Sequence, residues 1–273
     1  MILKKEELYG LKELGFGACS KVYKYEDKAI KILNASGNDL HDSGSFDKLL
    51  GIKSNICVYP EEKVYIDDTF SGYSMRFVEG KKIFDSLKQV DIDDLMKAID
   101  EATENIKNES KENIIFEDLN HGGILWDEKQ KKFHIIDTDF FTKIDSGDSN
   151  KIYKKNLIDF YGNLELALDI HVGQSKNITE YLEADEKYSL IHHKYFLSSV
   201  LDEEPMSPNE LIKAAREVFK RKFNVDVKTF EQMDKILKDN NISFESEQID
   251  MTTEEIEDLL SKFSSDSEGV PKF

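Results

Sequence analysis

Residues 116–127 read FEDLNHGGILWD and residues 131–140 read KKFHIIDTDF. Each places an aspartate, Asp118 or Asp137, at the end of an apolar stretch. The runs NIIFEDLNHGGILWD and KKFHIIDTDFF read as two short strands flanking a turn at Glu128–Lys131. A carboxylate in that position belongs at the floor of a cleft. The Gly122-Gly123 pair that follows Asp118 marks a turn in the chain.

Outward from this stretch the pattern splits in two. From Leu11 to Leu33, apolar and polar residues alternate with Gly15, Gly17 and Glu26-Asp27 as punctuation, which predicts two or three antiparallel strands. NASGNDLHDSGS (34–45) reads as a loop, Phe46–Ile52 as a short helix, and KVYIDDTF and GYSMRFVEG as two more strands. Beyond Gly80 helices dominate. Leu95, Ile99, Ala102 and Ile106 recur at helical spacing, so residues 91–107 form an amphipathic helix. NLIDFYGNLELALDI is apolar on nearly all sides and reads as a buried helix, and Ser207-Pro208-Asn209-Glu210 is a helix start. KTFEQMDKILKDNN and TTEEIEDLLSKF add two helices, and SSDSEGVPKF reads as a frayed tail. The expected class is α+β: a small, antiparallel, β-rich lobe over 1–78 and a larger helical lobe with a frayed acidic tail over 79–273. A cleft between two such lobes is a preferred ligand site.

Composition narrows the function. The 273 residues are 39% hydrophobic and 34% charged, enough for a packed core. A net charge of −18 repels nucleic-acid backbones and anionic membrane surfaces. No apolar run approaches the roughly 20 residues that span a bilayer. Cys19 and Cys57 are too few for a disulfide framework, and no signal peptide is evident, so the expected setting is cytoplasmic.

Two further segments bear on chemistry. In GFGACS (15–20) the glycines serve either a plain turn or the approach of backbone N–H groups to a phosphate. In KAIKIL (28–33) alternation puts Ala29 and Lys31 on one face and Ile30 and Ile32 on the other. Lys31 then either snorkels to the surface or meets an anion on the inner face.

Taken in order, GFGACSKVY, AIKIL, MRFVEG, EDLNHGGIL and IIDTDF resemble the signature series of the protein-kinase-like fold over about residues 11–170. The interval from Asp118 to Asp137 is close to that family's interval between catalytic and metal-binding aspartates. The resemblance implies a bilobal protein-kinase-like fold and an ATP- and Mg²⁺-dependent phosphotransferase. Its acceptor would be a hydroxyl, on protein Ser/Thr ahead of a small molecule. It further implies that Gly15, Gly17 and Ser20 cover the phosphates, and that Val22, Ala29 and Leu125 close on the adenine. Met75 would be the gatekeeper, and Phe77 and Val78 the hinge. Lys31 would pair with phosphates, Asp118 would handle the acceptor's proton, and Asp137 would bind metal, with Asp139 as a candidate second ligand.

The chain departs from that pattern in several places. Gly123 stands where the family has a metal-binding Asn, and Asn120 and His121 stand where many members have Lys and Pro. No helix glutamate for Lys31 is evident; Asp42 and Asp47 are the nearest acids there, which leaves Asp47, Asp137 or the ligand itself to hold it. The stretch from Asp137 to Asp159 is short and lacks an APE-like motif, which points to an atypical bacterial-type kinase or a small-molecule kinase. A pseudokinase module is the alternative from another class. His192-His193 and Trp126 read as packing residues, while His121 has either a packing or a substrate role.

Overall fold

The alternation in KAIKIL becomes a strand with two buried faces. Residues 1–34, 45–173, 176–200 and 204–242 are described in the computed structural model. Among them β1 (Ile2–Leu3), β2 (Lys12–Phe16), β3 (Ser20–Tyr25), β4 (Lys28–Leu33), β5 (Glu62–Ile66) and β6 (Thr69–Arg76) form a sheet in the order β1-β5-β6-β4-β3-β2. β1 pairs with β5 in parallel, and the other neighbours are antiparallel. One face of β4 carries Ile30, which packs with Leu3 and Val64. The other carries Ala29 and Leu33, which cluster with Val58, Tyr73 and Met75. Lys31 lies on this second face and is 6% exposed.

The turn between β5 and β6 falls at Asp67-Asp68, inside the run KVYIDDTF, because both aspartates adopt positive φ (47° and 65°). Consecutive left-handed residues match the twist of a tight hairpin, and Asp tolerates that conformation. Gly72 lies within β6 at φ 150°, where an added Cβ would sit 2.0 Å from the Lys31 carbonyl oxygen. Glycine is required there because β4 approaches so closely.

After β6 the chain turns helical. β7 (Lys81–Lys82), β9 (Ile124–Asp127) and β10 (Lys132–Ile135) form a small antiparallel sheet, and β8 (Ile114–Ile115) pairs with β11 (Thr142–Lys143). The expected strand around Asp118 is thus a two-residue strand, β8, and then a loop, since residues 117–123 turn too tightly for ladder pairing. Among the described residues the helices of eight residues or more are α1 (Ile92–Lys111), α2 (Ser149–Gly173), α3 (Lys176–Glu183), α4 (Glu186–Val200), α5 (Pro208–Phe223) and α6 (Phe230–Asp239), and shorter ones span Lys5–Leu8, Ser45–Leu49 and Ile83–Ser86. Asp91 caps α1 by accepting from the N–H groups of Asp93 (2.9 Å) and Asp94 (3.3 Å). Ser207 caps α5 through the Asn209 N–H, and Thr229 caps α6 through that of Gln232.

Leu95, Ile99, Ala102 and Ile106 all enter the main core, as their spacing predicts. Burial of each Leu or Ile contributes about 1.5–3 kcal/mol. α2 is one-sided rather than buried all round: Phe160, Leu164 and Ala167 face the core, whereas Leu166 is 45% exposed. Residues 56–59, which show no periodicity, are buried and join the two parts. Val58 N–H donates to the Ile135 carbonyl (2.8 Å), and Ile135 N–H to that of Ile56 (2.9 Å).

Met1–Ile242 make up one unit. The loop residues 35–44 with Asp42, the expected helix TTEEIEDLLSKF and the SSDSEGVPKF tail lie outside the described residues. Among the described residues no helix is long and apolar enough to cross a membrane.

Candidate functional site

Charge converges where β4 faces the segment that leaves β10. The Lys31 ammonium donates to Asp137 Oδ1 and, at 2.7 Å, to Asp139 Oδ1. The two carboxylates differ in setting: the Asp139 side chain is 1% exposed and that of Asp137 is 43% exposed. Tyr73, buried on β6 directly across from Lys31, lies within the electrostatic reach of Asp139. The Lys31 Nζ also lies 5.9 Å from the centre of the Tyr73 ring.

Burial pulls the Lys31 ammonium down, and the charges of Asp139 and Asp137 outweigh it, so its pKa stands above the usual lysine value. Burial, and after it the Asp139 charge, pushes the Tyr73 phenol well up. Asp137 is partly buried, and desolvation raises its carboxyl against the pull of Lys31. Asp47, one of the acids considered for Lys31, is engaged elsewhere by Lys63 at 2.7 Å.

The backbone of this segment is pinned from both sides. Thr138 Oγ1 donates to the Val58 carbonyl (2.9 Å), and Phe141 N–H to that of Thr138 (3.1 Å). Asp137 itself takes φ 65°, a left-handed conformation that a non-glycine residue adopts at a cost.

Asp118 sits on the neighbouring loop, exposed, at φ 55°. Its carboxylate makes no ion pair among the described residues. α2 braces the loop: Lys155 Nζ donates to the Phe116 carbonyl (2.8 Å), and Asn163 Nδ2 to that of Leu119 (3.0 Å). Asn156, fully buried, accepts from Phe116 N–H (2.9 Å) and donates to Ile114 O (2.9 Å). Asn120 accepts from Gly122 N–H (2.9 Å) and so starts the single helical turn His121–Gly123. Gly123 then receives the Ile136 N–H on its carbonyl (2.7 Å), and a Cβ at Gly123 would lie 3.5 Å from Asp137 Cβ. The Asp118 loop therefore abuts Asp137.

Val22, Ala29, Met75, Phe77 and Val78 gather with Ile136 in one apolar cluster next to these charges. Leu125 is not in that cluster; it packs on β9 against Gly80. The Phe77 N–H is taken by the Asp27 carbonyl (3.3 Å), so that hinge donor is already used. At the other end of β4, Gly17 N–H closes a turn onto the Ser20 carbonyl (2.9 Å), and Ser20 is buried. Gly15 pairs with Val22 and has open space around it.

No family model matches the chain, and no curated protein matches its sequence.

Other residues singled out by the sequence have packing roles. The His121 ring meets Phe84 edge-on at 4.3 Å, Trp126 is buried, and His192 stacks on Tyr188. An open cavity of about 490 Å³, lined by residues including Lys24, Arg76, Phe77, Val78, Asp127 and His134, contains none of Lys31, Asp118 or Asp137. The convergence of charge rather than that cavity marks the site. Among the described residues no group of three or more His, Cys, Asp or Glu side chains gathers to hold a metal. Tyr73, Asn156 and Asn163 escaped the sequence reading. Of these only Tyr73 left a signal, since it stands two residues before Met75 on the same strand face.

Proposed function

We propose that the chain is an ATP- and Mg²⁺-dependent phosphotransferase of the protein-kinase-like fold, transferring the γ-phosphate to a hydroxyl acceptor. The observation that carries this reading is the pairing of a buried strand lysine, Lys31, with Asp137, beside a braced loop that exposes Asp118. Phosphoryl transfer asks a protein mainly for positioning and for cancellation of negative charge, and this set of groups suits both tasks.

The exposed Asp137 carboxylate would hold Mg²⁺, a hard cation that takes one or two protein carboxylates and keeps several waters. Bound there, the metal supplies positive charge to the nucleotide's phosphates. Lys31 would hold those phosphates by its ammonium, with Val22, Ala29 and Met75 offering an apolar surface to the base. Asp118 would accept the acceptor's proton, being exposed and without an ion pair among the described residues. For the acceptor, protein Ser/Thr stands first. A small-molecule alcohol is the second reading, favoured by the pairing of β11 with β8 and by the start of α2 at Ser149, which leave little chain for a peptide platform.

Transfer of label from γ-labelled ATP to the protein itself, to protein mixtures and to small alcohols tests the reading, with Lys31→Met and Asp118→Asn as controls. Transfer that disappears in both variants supports it. If no transfer occurs with Mg²⁺ or Mn²⁺, the enzyme reading falls. A thermal shift with ATP and Mg²⁺ would then identify a nucleotide-binding pseudokinase, since ligand at a hundred times its Kd stabilises by about 2.7 kcal/mol.

A further inference from the structure

We propose that Asp139 is the residue that positions Lys31, and that Asp137 is thereby left to the metal. The inference rests on the phosphotransferase reading and assigns Asp139 a different task from the metal ligation that the resemblance implied.

A lysine ammonium taken out of water needs a counter-charge. Lys31 has two, and their surroundings separate them. Asp139 is 1% exposed on its side chain, bonds the ammonium at 2.7 Å and lies near enough to buried Tyr73 for its charge to raise that phenol. Its neighbour Thr138 is tied to Val58 across the junction of the two parts. If the Asp139 carboxylate turned outward, Lys31 would lose its buried counter-charge and keep only the half-exposed Asp137. Asp137 has the opposite character: 43% exposed, it can leave Lys31 while Asp139 keeps the ammonium in place.

The site holds one cation against two carboxylates, so it carries a surplus negative charge that a divalent ion at Asp137 would balance. The nearest alternative acid on the short helix Ser45–Leu49, Asp47, is bound to Lys63. Asp139 thus supplies from the strand-exit segment the counter-charge that no described helix supplies to Lys31.

The test uses the full chain carrying Asp139→Asn, Asp137→Asn, Lys31→Met and the double variants of Lys31→Met with each aspartate change. Thermal unfolding needs no activity. Asp139→Asn should lower the midpoint by on the order of 5 °C with Lys31 present and by much less in the Lys31→Met background. Asp137→Asn should show little such coupling. If Asp139→Asn costs the same in both backgrounds, or if Asp137 shows the larger coupling, the proposal is overturned. Should Asp139→Asn fail to fold alone, folding of the double variant supports the pairing, and failure of both overturns it.

In transfer assays Asp139→Asn should raise KM for ATP about tenfold or more while the Mg²⁺ dependence stays in place, with partial recovery in Asp139→Glu. Asp137→Asn should instead move the Mg²⁺ dependence. A shift of Mg²⁺ dependence in Asp139→Asn equal to that in Asp137→Asn would make Asp139 a ligand and overturn the assignment. If the parent protein transfers no phosphate at all, the phosphotransferase reading fails by itself, and the unfolding cycle still decides whether Asp139 anchors Lys31.

Discussion

Lowering the pH from 7.5 to 5 should destabilise the protein through one side chain, His134 on β10. His134 is 1% exposed, and neither ring nitrogen has a hydrogen-bond partner. Its Nε2 lies 3.6 Å from Asp127 Oδ2. Burial above all, then the positive charges of Arg76 and Lys132, lower its pKa from 6.5 to about 4, with Asp127 pulling the other way. The folded state therefore keeps the ring neutral while the unfolded chain takes up a proton below about 6.5. Where the unfolded state binds more protons, stability rises with pH. The stability in question is complete above pH 6.5 and is lost as the pH falls towards 4. The shift limits the total to about 3 kcal/mol, of which about 2 kcal/mol is lost by pH 5. At a urea slope of about 3 kcal/mol/M, the midpoint falls by roughly 0.7 M. Urea unfolding at both pH values, for the parent and for His134→Gln, isolates this contribution from the carboxylates, which both proteins share. The variant should lose about 2 kcal/mol less than the parent over that interval. Equal losses, or a His134 ring that titrates near 6.5 by NMR, would refute the reasoning.

Three other outcomes follow from the same structure. Asn156→Ala strands the buried Phe116 N–H and should cost about 2–4 kcal/mol in denaturant unfolding; a cost under about 1 kcal/mol would show that the Asp118 loop does not depend on this brace. Gly72→Ala drives a Cβ into the Lys31 carbonyl, so both thermal stability and nucleotide-induced stabilisation should drop, and an unchanged ATP thermal shift would count against Lys31 as a phosphate ligand. A Cβ at Gly123 would meet Asp137 Cβ at an ordinary contact distance of 3.5 Å, so Gly123→Asn should tighten the apparent Mg²⁺ affinity in the transfer assay; a weakened or unmoved Mg²⁺ titration would argue against a metal at Asp137.

Much of the site was legible residue by residue because it rests on short-range periodicity. The alternation of KAIKIL put Lys31 on the inner face with Ala29, whereas Asp118 lies in a loop three residues beyond β8 and Asp137 two residues beyond β10 instead of at strand ends. The helix start at Ser207 was likewise readable from capping chemistry, whereas the caps at Asp91 and Thr229 appear only in the structure. Other features were not legible. Residues 56–59 have no periodic pattern, yet they are buried and carry the backbone bonds to Ile135. The breadth of α2's apolar surface suggested burial on all sides, but Leu166 faces solvent because packing, not composition, decides which stripe is covered.

By itself the sequence determined which residue types stand on which face of β4, where the chain turns at Gly122-Gly123, and that Asp118 and Asp137 follow apolar stretches. These depend on neighbours within a few positions, where backbone geometry sets the direction of each side chain. Only the tertiary structure decided that Lys31 meets Asp137 and Asp139 while Asp47 meets Lys63, that Tyr73 is buried across from Lys31, and that His134 is sealed without a hydrogen-bond partner. Such pairings join residues far apart in the chain, and which acid is buried and which is left open depends on how the sheet and the β10 segment pack together.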